Sequence, residues 1–215
     1  MAQVSHTMRV CFSGNGQGAL AAAIREQMGW VNEVLPDRFE FVDDDACHVA
    51  DIAISTTGGM LIREAQEILP TEHKRLYEGN FLLPRQFTER HVRLMVRHQK
   101  PGLIIHIGSN AAWYGNINAE DYAAFKTALR KYLELRARDV KQHGIRISLL
   151  GFGGIEGPFW EKATAGSSPA ARQGIVSGTR KMLTLHEAAQ VVMSTIQLPP
   201  NVCVRDALIV STDYQ

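Results

Sequence analysis

At 215 residues, with 45% apolar and 21% charged side chains, the chain suits one hydrophobic core with at most a lid, in a globular protein of ordinary solubility. A formal net charge of +1 gives no electrostatic footprint for a nucleic-acid partner, and no apolar run is long enough for a membrane span. Cys11, Cys47 and Cys203 are odd in number and widely spaced, which points to reduced thiols in a cytoplasmic protein rather than to disulfides or a metal site; Cys47 and His48 adjoin, but no second ligand pair stands at metal spacing.

Met1–Met8 has neither the basic head nor the apolar stretch of a signal peptide. Met8–Ser13 reads as a strand ending in glycines, and Ala19–Met28 as a helix of strong helix formers. Phe39–Val42 and Asp51–Ser55 read as strands, and Met60–Leu69 as a helix stopped at Pro70. A longer helix is predicted over Asn80–His98 with Pro84 near its start, since an interior proline costs about 3 kcal/mol. Leu103–Ile107 is a buried-type strand. Tyr122–His143 is an amphipathic helix with Phe125, Leu129, Tyr132, Leu133 and Val140 near one stripe. Ile145–Leu150 is a strand, Thr184–Glu187 is a capping-box pattern before a helix ending near Ile196, and Ala207–Val210 closes the chain as a strand. This alternation predicts an α/β, Rossmann-like doubly wound fold, with a mainly parallel sheet and helices on both faces. Residues 1–215 form one domain in this reading, with the Gly-, Ala- and Ser-rich tract 157–181 as a substrate lid.

Ser13-Gly14-Asn15-Gly16-Gln17-Gly18 lies between the first strand and the first helix. A dinucleotide site needs glycines there so that the backbone turns tightly and meets a pyrophosphate at the helix N-terminus. A plain tight turn is the simpler reading of the same residues. The sharper signal is Ser109 at the end of Leu103–Ile107, followed by Tyr122 and, one helical turn later, Lys126. An i,i+4 pair shares a helix face. A free tyrosine titrates at about 10; a neighbouring ammonium favours the phenolate, so Tyr122 becomes a proton donor and acceptor, with Ser109 holding the substrate oxygen. A tyrosine packed on a lysine stem is the bland alternative for the pair alone.

Together these residues resemble the short-chain dehydrogenase/reductase family. Leu103–Ser109 is similar to its strand leading to the catalytic serine, and Tyr122-Ala-Ala-Phe-Lys126 to its Tyr-x-x-x-Lys. The resemblance implies an NAD- or NADP-dependent oxidoreductase that moves a hydride between nicotinamide and a small hydroxyl/carbonyl substrate. Ser109, Tyr122, Lys126 and Asn80 would be catalytic; a second register puts Leu76 in the place of Asn80. Gly14, Asn15, Gly16, Gln17, Gly18, Asp43, Thr57, Gly58, Lys126, Gly153 and Ile155 would hold the cofactor, with no metal, no nucleic acid and no membrane involved. The segment Leu185–Gln215 is similar to members acting on 3-hydroxy acids. Pairing through the long helices would give a homodimer or homotetramer.

The chain also departs from the family pattern. Leu20 stands at the third glycine, Ser55-Thr56-Thr57-Gly58 at the Asn-Asn-Ala-Gly strand end, Phe152 at a proline and Gly157 at a threonine. The stretch from Gly29 to Asp51 is short enough to predict a missing or compressed βα unit beside Asp43 and Asp44, which either touch adenosine or form a solvated turn. Trp113, Tyr114, Phe159 and Trp160 are candidates for lining a substrate pocket, Trp30 for core packing, and the basic run Arg90–Lys100 for a solvated face. The competing function is a non-catalytic dinucleotide-binding or regulatory protein with a worn cofactor loop; an epimerase or dehydratase ranks last, because its larger C-terminal domain is missing.

Overall fold

Short β-branched and apolar runs in this chain each pair with parallel neighbours, and their apolar side chains point to both faces, so both faces need helical cover. In the computed structural model, which describes residues 7–44, 48–115, 118–167 and 182–213, six strands form one sheet: β1 (Met8–Phe12), β2 (Phe39–Val42), β3 (Ile52–Ser55), β4 (Gly102–Ser109), β5 (Ile145–Phe152) and β6 (Asp206–Ile209). Their order is β2-β1-β3-β4-β5-β6, and each pairing is parallel, with Val10 opposite Ile52, Ile52 opposite Leu103 and Leu103 opposite Arg146. The predicted α/β architecture is therefore present.

One face is covered by α1 (Ala19–Val34) and α6 (Leu185–Ile196). Ala21, Ile24 and Met28 of α1, with Ala188, Ala189, Val192 and Ile196 of α6, pack on Val10, Phe12, Ile54, Ile105 and Leu150 of the sheet. The capping box opens α6 as predicted: Thr184 Oγ1 accepts from Glu187 N at 3.1 Å while Glu187 Oε2 accepts from Thr184 N at 2.8 Å. The opposite face carries α3 (Leu83–Arg97) and α4 (Glu120–Val140), whose Phe87, Val92, Met95, Leu129 and Leu133 pack on Cys11, Ala53, Ile104, Ile147 and Leu149.

Two helical expectations are corrected. Met60–Leu69 is not a helix; its only helical piece is a 3-10 turn over Ala65–Glu67, and Pro70 starts α2 (Pro70–Tyr77) instead of ending an element. A proline loses nothing at a first helical position, where its missing N–H has no partner anyway, and Glu72 Oε2 accepts the Leu69 amide at 3.1 Å to complete the cap. The helix predicted from Asn80 therefore begins ten residues earlier and runs through a π segment, Glu78–Leu82, into α3. The wider turn just before Pro84 gives the ring room that a regular α-turn denies.

The expected shortening before Asp51 is visible as a nine-residue connection, 43–51, from edge strand β2 to β3, and its described part contains no helix. Val49 and Ala50 are buried with the α3 side chains. Asp51 anchors the return: Arg9 N donates to Asp51 Oδ2 at 2.8 Å, Asp51 N donates to Arg9 O at 2.8 Å, and Lys100 pairs with its carboxylate at 2.8 Å. Val49 and Ala50 thus pack with Cys11 of β1 in a connection whose described residues form no helix.

Gly151 in β5 is a packing requirement. A Cβ there would lie 2.2 Å from Trp113 Cζ3, inside van der Waals contact. Gly151→Ala is expected to cost about 1–3 kcal/mol by overpacking, read as a lower urea midpoint, with Trp113→Leu restoring part of the loss in the double variant. An unchanged midpoint in the single variant would refute this account of the Trp113 seat.

Candidate active site

All six strands run the same way, so their carboxyl ends share one edge of the sheet, where ligands bind in open α/β folds. Gly14–Gly18 follow β1, Asp43 follows β2, Thr57 and Gly58 follow β3, Ser109 ends β4, and Gly153 and Ile155 follow β5. Residues dispersed through the chain are thereby gathered along a single rim.

Lys126 and Asn80 meet at Gly58, with Tyr122 beside Lys126 and Ser109 beside Tyr122. Ser109 is extended (φ −138°, ψ 148°) and caps a 3-10 turn, its Oγ accepting from Ala111 N at 3.2 Å. Tyr122 and Lys126 project from the first turns of α4, with Nζ 5.6 Å from the tyrosine ring centroid, and Ser109 hydrogen-bonds Tyr122. A Cβ on Gly58 would stand 2.9 Å from both Lys126 Nζ and Asn80 Oδ1, so only glycine lets these two groups approach the backbone together. Asn80 is fully buried; its Nδ2 donates to Gly59 O at 2.7 Å and Leu76 O at 2.9 Å, while Oδ1 accepts from Gly59 N at 3.3 Å. Of the two sequence registers, the Asn80 one puts a polar group against this loop. The π segment aims it there.

The electrostatics differ from expectation at one point. Burial pushes the Tyr122 phenol up to about 12, opposed by its hydrogen bond with Ser109, rather than down towards neutrality. Burial likewise lowers Lys126 to about 8. Desolvation disfavours the charged form of each group and is the leading cause of both shifts. The cover consists of Met60, Ile62, Ala111, Ala119 and Ala163, which pack with Tyr122 in a small separate cluster. Behind it lies His106 of β4, 1% exposed, with Nε2 2.8 Å from Thr88 Oγ1; burial, then the charge on Lys126, lowers it to about 3.

The glycine loop is built around left-handed backbone at Gly14 (φ 57°) and Gly16 (φ 67°), conformations that favour glycine. Nothing lies within 4 Å of a Cβ placed on Gly14 or Gly18, and Gly18 is the N-cap of α1 with no side chain capping it. Backbone amides at the N-terminus of a 16-residue helix thus face open space across unsubstituted glycines. These are the features a pyrophosphate needs. Leu20, at the family's third glycine, packs against the α1–α6 core. Ser13 ties the loop to the end of β3: its Oγ accepts from Thr56 N at 3.0 Å and from Thr57 Oγ1 at 2.9 Å. Of the two acidic residues after β2, Asp43 is exposed, whereas Asp44 Oδ2 accepts from Gly14 N at 3.3 Å and its Oδ1 pairs with Arg90.

Beyond β5, Gly153 N donates to Ile209 O at 2.8 Å, and Ile155 forms a parallel bridge with Leu183. Ile155 O accepts from Trp160 Nε1 at 2.9 Å, which pins α5 (Phe159–Thr164) over the site. Ile62 N donates to Ala163 O at 3.0 Å, and Ser167 Oγ donates to Ile62 O at 2.6 Å, so the loop after β3 and the segment after α5 are stitched together. Residues 168–181 of the predicted lid lie outside the described residues. Between this loop, α2 and α5 is a cavity of about 530 Å³ whose wall includes Gly58, Met60, Arg63, Arg75, Phe159 and Lys162.

Other aromatic expectations divide. Trp113 seats on Gly151 under the Arg130 guanidinium, 4.3 Å away, and Trp30 is 46% exposed beside His186 instead of serving the core. The basic run Arg90–Lys100 is only partly a solvated face, since His91 is buried and Arg90 pairs with Asp44. Sequence reasoning missed Arg25, whose guanidinium stacks 4.9 Å from the centroids of both Phe12 and Phe41 and lies 3.0 Å from a Cβ built on Gly16. It also missed His106, although a lone imidazole inside an apolar strand was a visible signal.

Comparison with known proteins agrees with this fold. The family model described as short chain dehydrogenase matches residues 39–168. Among solved structures, the fold is similar to a serine dehydrogenase complexed with NADP+ (TM-score 0.74, 17% identity, 94% of each chain covered). It is also similar to a 4-hydroxyisoleucine dehydrogenase mutant complexed with NADH and succinate (0.74, 13%, 96% of this chain and 98% of that one). A third is the 3-oxoacyl-[acyl-carrier protein] reductase from Brucella melitensis ATCC 23457 (0.71, 17%, 94% and 90%). No curated protein sequence matches the chain significantly.

Proposed function

This chain belongs to the short-chain dehydrogenase family, and from that premise we propose that it is an NAD(P)-dependent oxidoreductase whose Tyr122 exchanges the proton of a small hydroxyl/carbonyl substrate. The observation that carries the reading is that Ser109, Tyr122 and Lys126 adjoin one another in turn at the carboxyl rim of the sheet, where Lys126 and Asn80 both meet Gly58.

The open faces of Gly14 and Gly18 before α1 suit the pyrophosphate, Thr57 and Gly58 the next stretch of the dinucleotide, and Lys126 the nicotinamide ribose. Bound nicotinamide would supply or accept the hydride. The protein's own part is the proton and the geometry. In reduction, the substrate carbon gains a hydride while its oxygen takes the Tyr122 Oη proton; in oxidation, both move in reverse. Ser109 Oγ holds that oxygen, Lys126 compensates the phenolate as it forms, and Asn80 fixes the Gly58–Gly59 backbone against which Lys126 sits.

Met60, Ile62 and α5 cover the phenol, so a substrate enters when this loop and helix part as a lid. An acidic substrate suits the site best. Arg63, Arg75 and Lys162 border the adjoining cavity against a single carboxylate, Glu72, which Arg63 engages at 2.9 Å. The serine dehydrogenase and 4-hydroxyisoleucine dehydrogenase among the structural neighbours carry names of hydroxy amino acids, consistent with a panel led by small hydroxy acids.

NADH or NADPH at a hundredfold excess over Kd is expected to stabilise the protein by about 2.7 kcal/mol, a shift of several degrees in Tm for a domain of this size. No shift with either nucleotide at millimolar concentration would remove the cofactor and the reaction with it.

A further inference from the structure

Away from the tyrosine, where the 43–51 connection crosses β1, three groups able to ligate a metal meet: Cys11 on β1, Asp44 at the start of the connection and His91 on α3. Cys11 Sγ lies 3.7 Å from Asp44 Oδ1, His91 Nε2 lies 3.5 Å from the same oxygen, and all three ligand atoms fall within 4.8 Å of one another. His91 is 1% exposed, and neither of its ring nitrogens makes a hydrogen bond. A buried imidazole with both nitrogens unsatisfied is costly, and it needs a partner. Its ring centroid lies 4.4 Å from that of Phe87 at a tilt of 58°, so Phe87 fills one side and Nε2 faces the carboxylate and thiol.

We propose that Cys11, Asp44 and His91 bind a divalent transition metal of the zinc class as a structural staple. Zinc–ligand bonds of about 2.0–2.3 Å at tetrahedral angles place S···O at about 3.6 Å and N···O at about 3.4 Å, against the 3.7 and 3.5 Å present. A thiolate, an imidazole and a carboxylate together suit zinc rather than magnesium or calcium. Among the described residues, Arg90 at Oδ1 and Gly14 N at Oδ2 also face the carboxylate. A carboxylate has about four lone-pair sites, so Arg90 and Gly14 remain as outer donors that orient the ligand, and the guanidinium offsets the negative charge of thiolate plus carboxylate. The ion takes the place of the Cys11 thiol proton, for which Asp44 Oδ1 at 3.7 Å and Phe12 O at 3.8 Å are acceptors. The staple joins β1, Asp44 and α3 where the described residues between β2 and β3 form no helix, and through Gly14 it reaches the glycine loop. Its ligands come from three separate elements, so no local spacing in the sequence displays them.

The test uses the full chain without an affinity tag, stripped with EDTA and titrated with cobalt(II) as a spectroscopic stand-in for zinc. One equivalent is expected to give a thiolate-to-cobalt charge-transfer band with tetrahedral visible bands, and one equivalent of zinc to raise Tm by several degrees. Cys11→Ser should abolish the charge-transfer band, and His91→Gln should weaken affinity by about 100-fold or more, given that outer partners alone cost 10- to 100-fold. Cys47→Ser should leave the band intact. Absence of stoichiometric binding, a band that survives Cys11→Ser, unchanged affinity in His91→Gln, or a band lost with Cys47→Ser would each overturn the proposal.

Discussion

Tyr122→Phe is expected to keep nucleotide binding near the wild-type level while lowering turnover by about 10²–10⁴-fold, the share that a positioned proton donor contributes. The substitution removes one oxygen from a ring that is 5% exposed and packed by Met60, Ile62 and Ala163, so fold and cofactor loop should be undisturbed. The direction of the reaction adds a second signature. With the phenol at about 12 and the neighbouring ammonium at about 8, Tyr122 holds its proton at neutral pH and is ready to donate it. Reduction should therefore run well at pH 7 and decline above about 8 as Lys126 loses its charge, whereas oxidation, which needs the phenolate beside a charged Lys126, should rise with pH up to about 8 and level off there. Turnover that survives in Tyr122→Phe would sink the proton assignment; turnover lost together with nucleotide binding would point instead to a collapsed site.

Most of this arrangement was legible because it is carried by local pattern. Strand runs such as Leu103–Ile107, the glycines after β1, the Thr184–Glu187 cap and the Tyr122–Lys126 spacing each involve neighbours within a turn or a strand, where geometry follows directly from sequence. The misses are tertiary. Pro70 reads equally well as a stop or a start until Glu72 is seen capping Leu69. Asn80, within a π segment, bonds Gly59, a residue 21 positions away in the chain. The direction of the Tyr122 shift was misjudged because a sequence shows the nearby lysine but not the cover that excludes water. Arg25 beneath Gly16 and the cluster of Cys11, Asp44 and His91 depend on how the short β2–β3 connection folds over β1, for which no periodicity exists.

Metal-free protein is expected to lose several kcal/mol of stability between pH 6.5 and 4, and the cause is two buried histidines. Burial lowers His106 to about 3, helped by Lys126 and then His91, and lowers His91 to about 4, helped by Arg90. An unfolded histidine titrates at about 6.5. Within that window the unfolded chain binds protons that the native protein refuses, so stability falls as pH falls, by about 1.4 kcal/mol per pH unit for each imidazole. Above pH 6.5 both states hold neutral imidazoles and this contribution is flat. The interval from 6.5 to 5 isolates the effect, because ordinary carboxylates stay ionised in both states there. Set against a total of about 5–15 kcal/mol for a typical domain, two such sites are enough to drive acid unfolding. Urea midpoints measured in EDTA across this interval should fall steadily in the parent. His106→Gln should remove about half of the slope, whatever its own cost through the lost Thr88 contact at 2.8 Å, and adding His91→Gln should remove most of the remainder. Parallel pH profiles for parent and double variant would show that these imidazoles already titrate normally in the native state, contrary to their burial.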